Sequence, residues 1–344
     1  MIDQKELTEA PSAFLVLGHD KVAASSQNNN KGAVMWRWIR WLTLVLVALF
    51  IASFLPWSIS SQAIALPDNL PAASPPESMR VSALPTGTMH SSAMLAFRGG
   101  NPLENRDFSM TAVLVQHPRG DLLIDTGFGR EVDDQVKLLP LLMQLTTDYD
   151  KTTPAAEQLI TQGYDLKSLV GVILTHAHWD HVSGLDSLRN TPVLVPTTEQ
   201  AFISDGGDNS ALARQLSADH LKSYAFVNKP YLGFAQQFDV WGDGSVVLVP
   251  APGHTPGSVL VFLTLPSGQR LALLGDLVWQ LDGITHLAEK PWIARQLIDE
   301  DTDTVRDAIA HVSAIAKKFP QVKLLPAHDA KAMGSLPVYP STLR

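Results

Sequence analysis

Six consecutive residues, His176-Ala177-His178-Trp179-Asp180-His181, hold four groups able to bind a cation. In an extended stretch, residues two apart point the same way, so His176 and His178 can grip one ion. Asp180 and His181 follow where the chain turns towards a helix and can face a second. A lone His on a loop is ordinarily a solvated turn residue. Four ligand-type side chains at this spacing form a pattern specific for a metal site. Three more candidates stand at the ends of strand-like runs: His254 in Pro252-Gly253-His254-Thr255-Pro256-Gly257, Asp276 behind Gly275, and His328 in Leu325-Pro326-Ala327-His328-Asp329. Each alone reads as a turn residue. Together with the first cluster they make seven nitrogen and oxygen donors that one sheet edge could gather. The chain has no cysteine, which excludes disulfides, thiolate ligands and cysteine nucleophiles and leaves His and carboxylates as the available metal ligands.

The elements that must carry these residues alternate between strand and helix. Residues 111–117 (TAVLVQH) and 121–125 (DLLID), joined at Pro118-Arg119-Gly120, read as a hairpin. The run 171–175 (GVILT), just before the cluster, is short and continuously apolar, as in a strand covered on both faces. Strands are expected at 245–249 (before His254), at 258–265, at 270–274 (before Asp276) and at 322–325 (before His328). The stretches 132–145 and 154–161 look helical, with Pro140 dividing the first. Val305, Ile309, Val312 and Ile315 recur at helical spacing across 302–318. This mixture predicts sheets covered by helices, an α/β layered domain.

Residues 41–57 (WLTLVLVALFIASFLPW) contain no charge, and Lys31, Arg37 and Arg40 precede them. With the small-x-small end Ala63-Ile64-Ala65, this is the pattern of a secretory signal cleaved after Ala65. An uncleaved anchor is the alternative reading. Residues 1–34 read as a cytoplasmic n-region or as an over-extended gene start ahead of Met35, and 35–65 as the signal or anchor. Pro67, Pro71, Pro75 and Pro76 make 66–80 an extended linker. The folded domain is then 81–344. Arginines ahead of the apolar run place the remainder outside the cytoplasm: exported to the periplasm, or anchored in the inner membrane facing it. A net charge of −8, from 26 Lys+Arg against 34 Asp+Glu, lacks the basic footprint of a nucleic-acid binder. A small-molecule substrate is expected, with membrane contact only through the N-terminal segment.

The motifs HxHxDHxxG (His176 to Gly184), PGHTPG, the Gly275-Asp276 pair and the late His328 resemble those of the metallo-β-lactamase superfamily over 81–344. The segments LVQHPRGDLLIDTG and APGHTPG are similar to the acyl-homoserine lactonases, and QRLALLGDL to the methyl parathion hydrolases. The resemblance implies a four-layer αββα sandwich with the metal site at one edge. One cation would be held by His176, His178 and His254, the other by Asp180, His181 and His328, with Asp276 bridging them. Asp125, in Asp125-Thr126-Gly127, would support the ligands from behind. Two divalent cations, Zn²⁺ by this donor set, would share a water and lower its pKa to about 7. The hydroxide would attack an ester, lactone or phosphoryl centre, and Asp180 would carry the proton to the leaving group. Trp179, Trp279 and Phe234 are candidate pocket aromatics, with core packing as the alternative; the lactonases place a Tyr where Trp279 stands. Two rival readings are a mononuclear iron enzyme like the persulfide dioxygenases and a non-catalytic metal-binding protein.

Overall fold

A computed structural model describes residues 20–60, 64–139, 141–205 and 207–344. The chain divides into two units, Met1–Ala52 and Ser53–Arg344. In the first, Asp20–Ala52 is one helix of 33 residues. Its last 20 residues, Ala33–Ala52, are apolar and long enough to cross a membrane, a requirement that signal sequences also meet. Residues 1–19 of the expected n-region and Ala63 of the expected cleavage motif lie outside the described residues.

The second unit is built on two sheets. One has the order β4-β1-β2-β3-β5-β6-β7, from β1 (Arg80–Ser92), β2 (Asn105–Gln116), β3 (Asp121–Ile124), β4 (Asp148–Lys151), β5 (Leu169–Ile173), β6 (Val193–Pro196) and β7 (Leu221–Tyr224). The other has the order β12-β11-β10-β9-β8, from β8 (Phe238–Asp239), β9 (Val246–Pro250), β10 (Val259–Thr264), β11 (Arg270–Leu273) and β12 (Val322–Leu325). The expected hairpin is β2–β3, with Val113 opposite Ile124 and Val115 opposite Leu122. Strands β3, β5, β6 and β7 run parallel, as do β11 and β12.

Strand periodicity explains the continuous apolar runs. In β9, Val246 and Leu248 point into the layer between the sheets, where they meet Val113, Val115, Leu122, Ile124 and Ile173 of the first sheet. Val247 and Val249, on the opposite face, pack with Val305, Ile309, Val312 and Ile315 of the helix Thr302–Lys318. Alternate residues face opposite ways, so a strand covered on both sides needs apolar residues at every position. The outer face of the first sheet is covered likewise: Leu114, Leu123 and Val172 pack with Leu159 of the helix Ala155–Thr161 and with Leu212 and Leu216. Helix, sheet, sheet and helix layers are thus stacked in turn. Each fully buried Val or Ile on the long helix stabilises the stack by about 1.5–3 kcal/mol relative to exposure.

Two expectations change. The helix expected over 132–145 is three short pieces, Val132–Gln135, Val136–Leu138 and Leu141–Thr146. Pro140, expected to divide it, lies outside the described residues. Residues 66–79 have neither helix nor strand, but they are seated on the domain: Leu66 and Leu70 pack against the apolar cluster under the long helix. Ser74 N donates to Asp243 O at 2.7 Å, and Arg270 reaches Pro71 O at 2.9 Å.

Candidate metal centre

The ends of β3, β5, β9, β11 and β12 deliver the ligand-type residues to one place. Backbone hydrogen bonds pin the segments beyond the strands: Asp125 N to Ile173 O, Val259 N to Thr175 O, Leu274 N to Leu325 O and Ala327 N to Gly275 O. Gly275 has φ +51°, a left-handed conformation that glycine adopts without a side-chain penalty. Asp125 adopts φ +52° without that freedom, a conformation sparsely populated by non-glycine residues and often found at functional sites.

All seven candidates converge. His176, His178 and His254 each offer one ligand atom, and these atoms lie within 4.8 Å of one another; so do those of Asp180, His181 and His328, and those of His176, His181 and Asp276. His176 Nε2 and His254 Nε2 are 3.1 Å apart, and His181 Nε2 and His328 Nε2 are 3.3 Å apart. Asp276 sits between the groups, with Oδ1 at 3.1 Å from His181 Nε2 and 3.0 Å from His328 Nε2, and Oδ2 at 3.5 Å from His254 Nε2. Asp180 Oδ2 is 3.2 Å from His328 Nε2. Asp180 is the only one of the seven that is not fully buried.

The outward-facing nitrogens explain why Nε2 atoms meet. His181 Nδ1 donates to Asp125 Oδ2 at 2.9 Å, His254 Nδ1 to Asp299 Oδ1 at 2.7 Å and His328 Nδ1 to Ser109 O at 3.1 Å. Thr175 Oγ1 donates to Asp125 Oδ2 at 2.7 Å, so it accepts from His176 Nδ1 at 3.1 Å. Each bond engages Nδ1 from outside and turns Nε2 inward, the arrangement that supports a ligating imidazole. Burial lowers the basicity of His176, His178 and His254, and brings His178 to about 4, so these rings are neutral. At the other end burial acts in the same direction, but carboxylates outweigh it. Asp276, Asp125 and Asp180 hold His181 well above the ordinary histidine range, and Asp276 and Asp180 raise His328 to about 9. That end of the cluster therefore stabilises positive charge.

This donor set fits divalent cations: imidazole and carboxylate with no thiolate suits zinc and its neighbours. His178 Nε2 is buried without a hydrogen-bond partner, and Asp276 Oδ1, although close to His181 Nε2 and His328 Nε2, makes a well-aligned hydrogen bond to neither. Buried polar atoms are nearly always satisfied, so these exceptions point to a missing electrophile.

Other residues placed near the site by sequence take different positions. Trp179 is buried and stacks on Phe128 at 5.6 Å, and Phe234 stacks on His311 at 4.0 Å within the core beneath the long helix. Both are packing residues. Trp279 is half-buried, and its indole N–H donates to Asp276 Oδ2 at 2.9 Å. Three supporting groups carry no sequence signal: Glu199, Lys290 and Asp299. Lys290 Nζ is fully buried, donates to Asp299 Oδ1 at 2.8 Å and lies over the Trp279 ring.

The model of the metallo-beta-lactamase superfamily matches residues 106–311, more than half of the chain. The chain belongs to that superfamily. Its relatives include the N-acyl homoserine lactonase AttM of Rhizobium radiobacter, 26% identical over 223 residues, covering 64% of this chain and 81% of that protein. AttM of Rhizobium johnstonii is 27% identical over 226 residues, with the same coverage. Among solved structures, an N-acyl homoserine lactone hydrolase with the product N-hexanoyl-L-homoserine at its catalytic metal centre is similar in fold, with TM-score 0.60, 18% identity, and 79% of this chain and all of that one covered. AidC, a dizinc quorum-quenching lactonase, has TM-score 0.51 and 15% identity, covering 83% of this superfamily member and 92% of that chain.

Proposed function

We propose that this chain is a metal-dependent hydrolase of the lactonase type, acting on a lactone or related ester. The observation that carries the reading is the placement of Asp276 between a three-histidine group and an Asp-His-His group, with the imidazole Nε2 atoms facing inward. The curated relatives act on N-acyl homoserine lactones by name, which makes that class the first substrate to try. His176, His178 and His254 would hold one cation, Asp180, His181 and His328 the other, and Asp276 would touch both. Bound there, a pair of divalent cations, zinc by this donor set, supplies Lewis acidity and makes water acidic enough to attack a carbonyl near neutral pH.

The protein groups do the rest. Asp125 accepts hydrogen bonds from His181 and from the Thr175 hydroxyl, which itself accepts from His176, and this keeps both rings in one orientation. Asp276 places negative charge amid four imidazoles. Asp180, the most open carboxylate of the set, would take the proton given up by the attacking water and pass it to the leaving oxygen, using the carboxylate oxygen that is not turned to His328.

The test is turnover by the full chain on a panel of acyl-homoserine lactones, simple lactones, aryl esters and phosphotriesters, with metal counted in the same sample. Lactone hydrolysis with about two divalent ions per chain, lost to chelation and restored by zinc, is the expected result. Failure on every lactone and ester in the metal-loaded protein overturns the reading.

A further inference from the structure

Glu199 takes no part in the proposed chemistry, although its carboxylate is fully buried between two of the loops that supply ligands. It lies in the first turn of the helix Thr197–Asp205, directly after β6. Oε1 accepts from Ala177 N at 2.7 Å; Oε2 accepts from Thr255 Oγ1 at 2.8 Å and from Gly257 N at 2.9 Å. Ala177 is flanked by His176 and His178, and Thr255 directly follows His254. A Cβ on Gly257 would come within 2.3–2.6 Å of Glu199 backbone and Cβ atoms, so the turn rests directly on this residue.

We propose that Glu199 is a positioning residue for the three-histidine subsite, setting the distance between the His176–His178 pair and His254 by tying their loops to one carboxylate. It touches neither cation nor substrate. The inference rests on the metal-centre reading above, and it adds which side chain governs one subsite and leaves the other alone.

The chemistry of the tie is restrictive. Two backbone N–H groups approach from opposite sides, and a carboxylate can accept from both. An amide cannot: whichever way glutamine is turned, its NH₂ meets either Ala177 N–H or Gly257 N–H. Thr255 can rotate its hydroxyl to adapt, but a backbone N–H has no such freedom. Glu199→Gln therefore removes one arm at nearly constant volume.

The full chain is stripped of metal and titrated with Zn²⁺, and binding is read by competition with a chromophoric chelator. ¹⁵N-histidine NMR identifies which rings become ligated. Wild type should take up two ions. In Glu199→Gln the subsite of His176, His178 and His254 should weaken by about 10- to 100-fold, the range for supporting groups behind metal ligands, while His181 and His328 are ligated as in wild type. Thr255→Val, which keeps the carboxylate and deletes one donor, should weaken the same subsite by a smaller factor, and it decides the matter if the glutamine variant does not fold. Wild-type affinity at both subsites in the variant that folds, or an equal loss at both, overturns the positioning role. A wild-type chain that binds no divalent ion instead overturns the metal reading itself, and this inference with it.

Discussion

At the scale of single residues, the side chains behind the ligands are as informative as the ligands. Asp125 Oδ2 accepts from both His181 Nδ1 and Thr175 Oγ1, while Oδ1 accepts from Thr175 N at 2.7 Å. Asn at this position keeps one acceptor oxygen. With that oxygen on Thr175 N, its NH₂ faces His181 Nδ1, drives the ring proton to Nε2 and blocks the ligand atom. Asp125→Asn should therefore lower affinity for the cation at the Asp180, His181 and His328 group by about 10- to 100-fold without changing the fold, measured by chelator competition alongside circular dichroism. Unchanged affinity would mean that the Asp125–His181 bond does not set the tautomer. Asp125 was legible in the sequence because it sits in an Asp-Thr-Gly turn after a strand. Glu199 and Asp299 were not. Glu199 serves backbone N–H groups, and Asp299 a histidine 45 positions away, and neither task leaves a spacing pattern.

At the scale of elements, what could be read depended on burial. The runs GVILT and SVVLV announced strands because both of their faces are covered, and the helix Thr302–Lys318 and strand Val322–Leu325 lie where their patterns put them. The edge strand β4 could not be read: it is four residues long, DYDK, mostly exposed and polar, and it exists only by pairing with β1. β6 and β7 are equally short, and their residues carry too few alternations to distinguish strand from loop. The long helix also carries a pH dependence. His311, packed flat on Phe234, donates Nε2–H to Leu232 O at 2.8 Å, and burial holds it below the ordinary histidine value of 6.5. The unfolded chain binds that proton more readily than the folded one. Stability is then full above pH 6.5 and is lost as pH falls below it towards the lowered folded value. His117, lowered by burial against the pull of Asp243, works in the same sense. His311→Gln, which keeps a donor and cannot titrate, should flatten the decline in denaturation midpoint as pH falls below about 6.5. A variant with the wild-type slope would assign the acid sensitivity elsewhere.

At the scale of the whole chain, residues 53–60 bear on the fate of the N-terminal segment. A signal cleaved after Ala65 would discard them, yet they are part of the folded unit. Ser53 is buried and its Oγ accepts from Ile293 N at 3.2 Å; Phe54 O accepts from Gly99 N at 2.9 Å; Ile59 N donates to Leu287 O at 2.8 Å. Arg98 donates to Leu55 O at 3.1 Å and lies over the Trp57 ring. Discarding this segment would leave Ile293 N, Gly99 N and Leu287 O without those partners and uncover the surface beneath. Each lost intramolecular hydrogen bond costs about 0.5–1.5 kcal/mol, which is a poor outcome for a segment meant to be removed. These contacts make retention of residues 53–60 the outcome we put to test, with the apolar helix Ala33–Ala52 as the candidate anchor. After expression in a bacterium with an inner membrane, the protein should fractionate with membranes, resist extraction by high salt and carbonate, and show an N-terminus upstream of Ser53 by mass spectrometry. Protease added to spheroplasts should digest the 53–344 unit, because the arginines before the helix keep its N-terminal end inside. A soluble periplasmic product beginning at Leu66 would show that the contacts of 53–60 are dispensable and that export ends in cleavage.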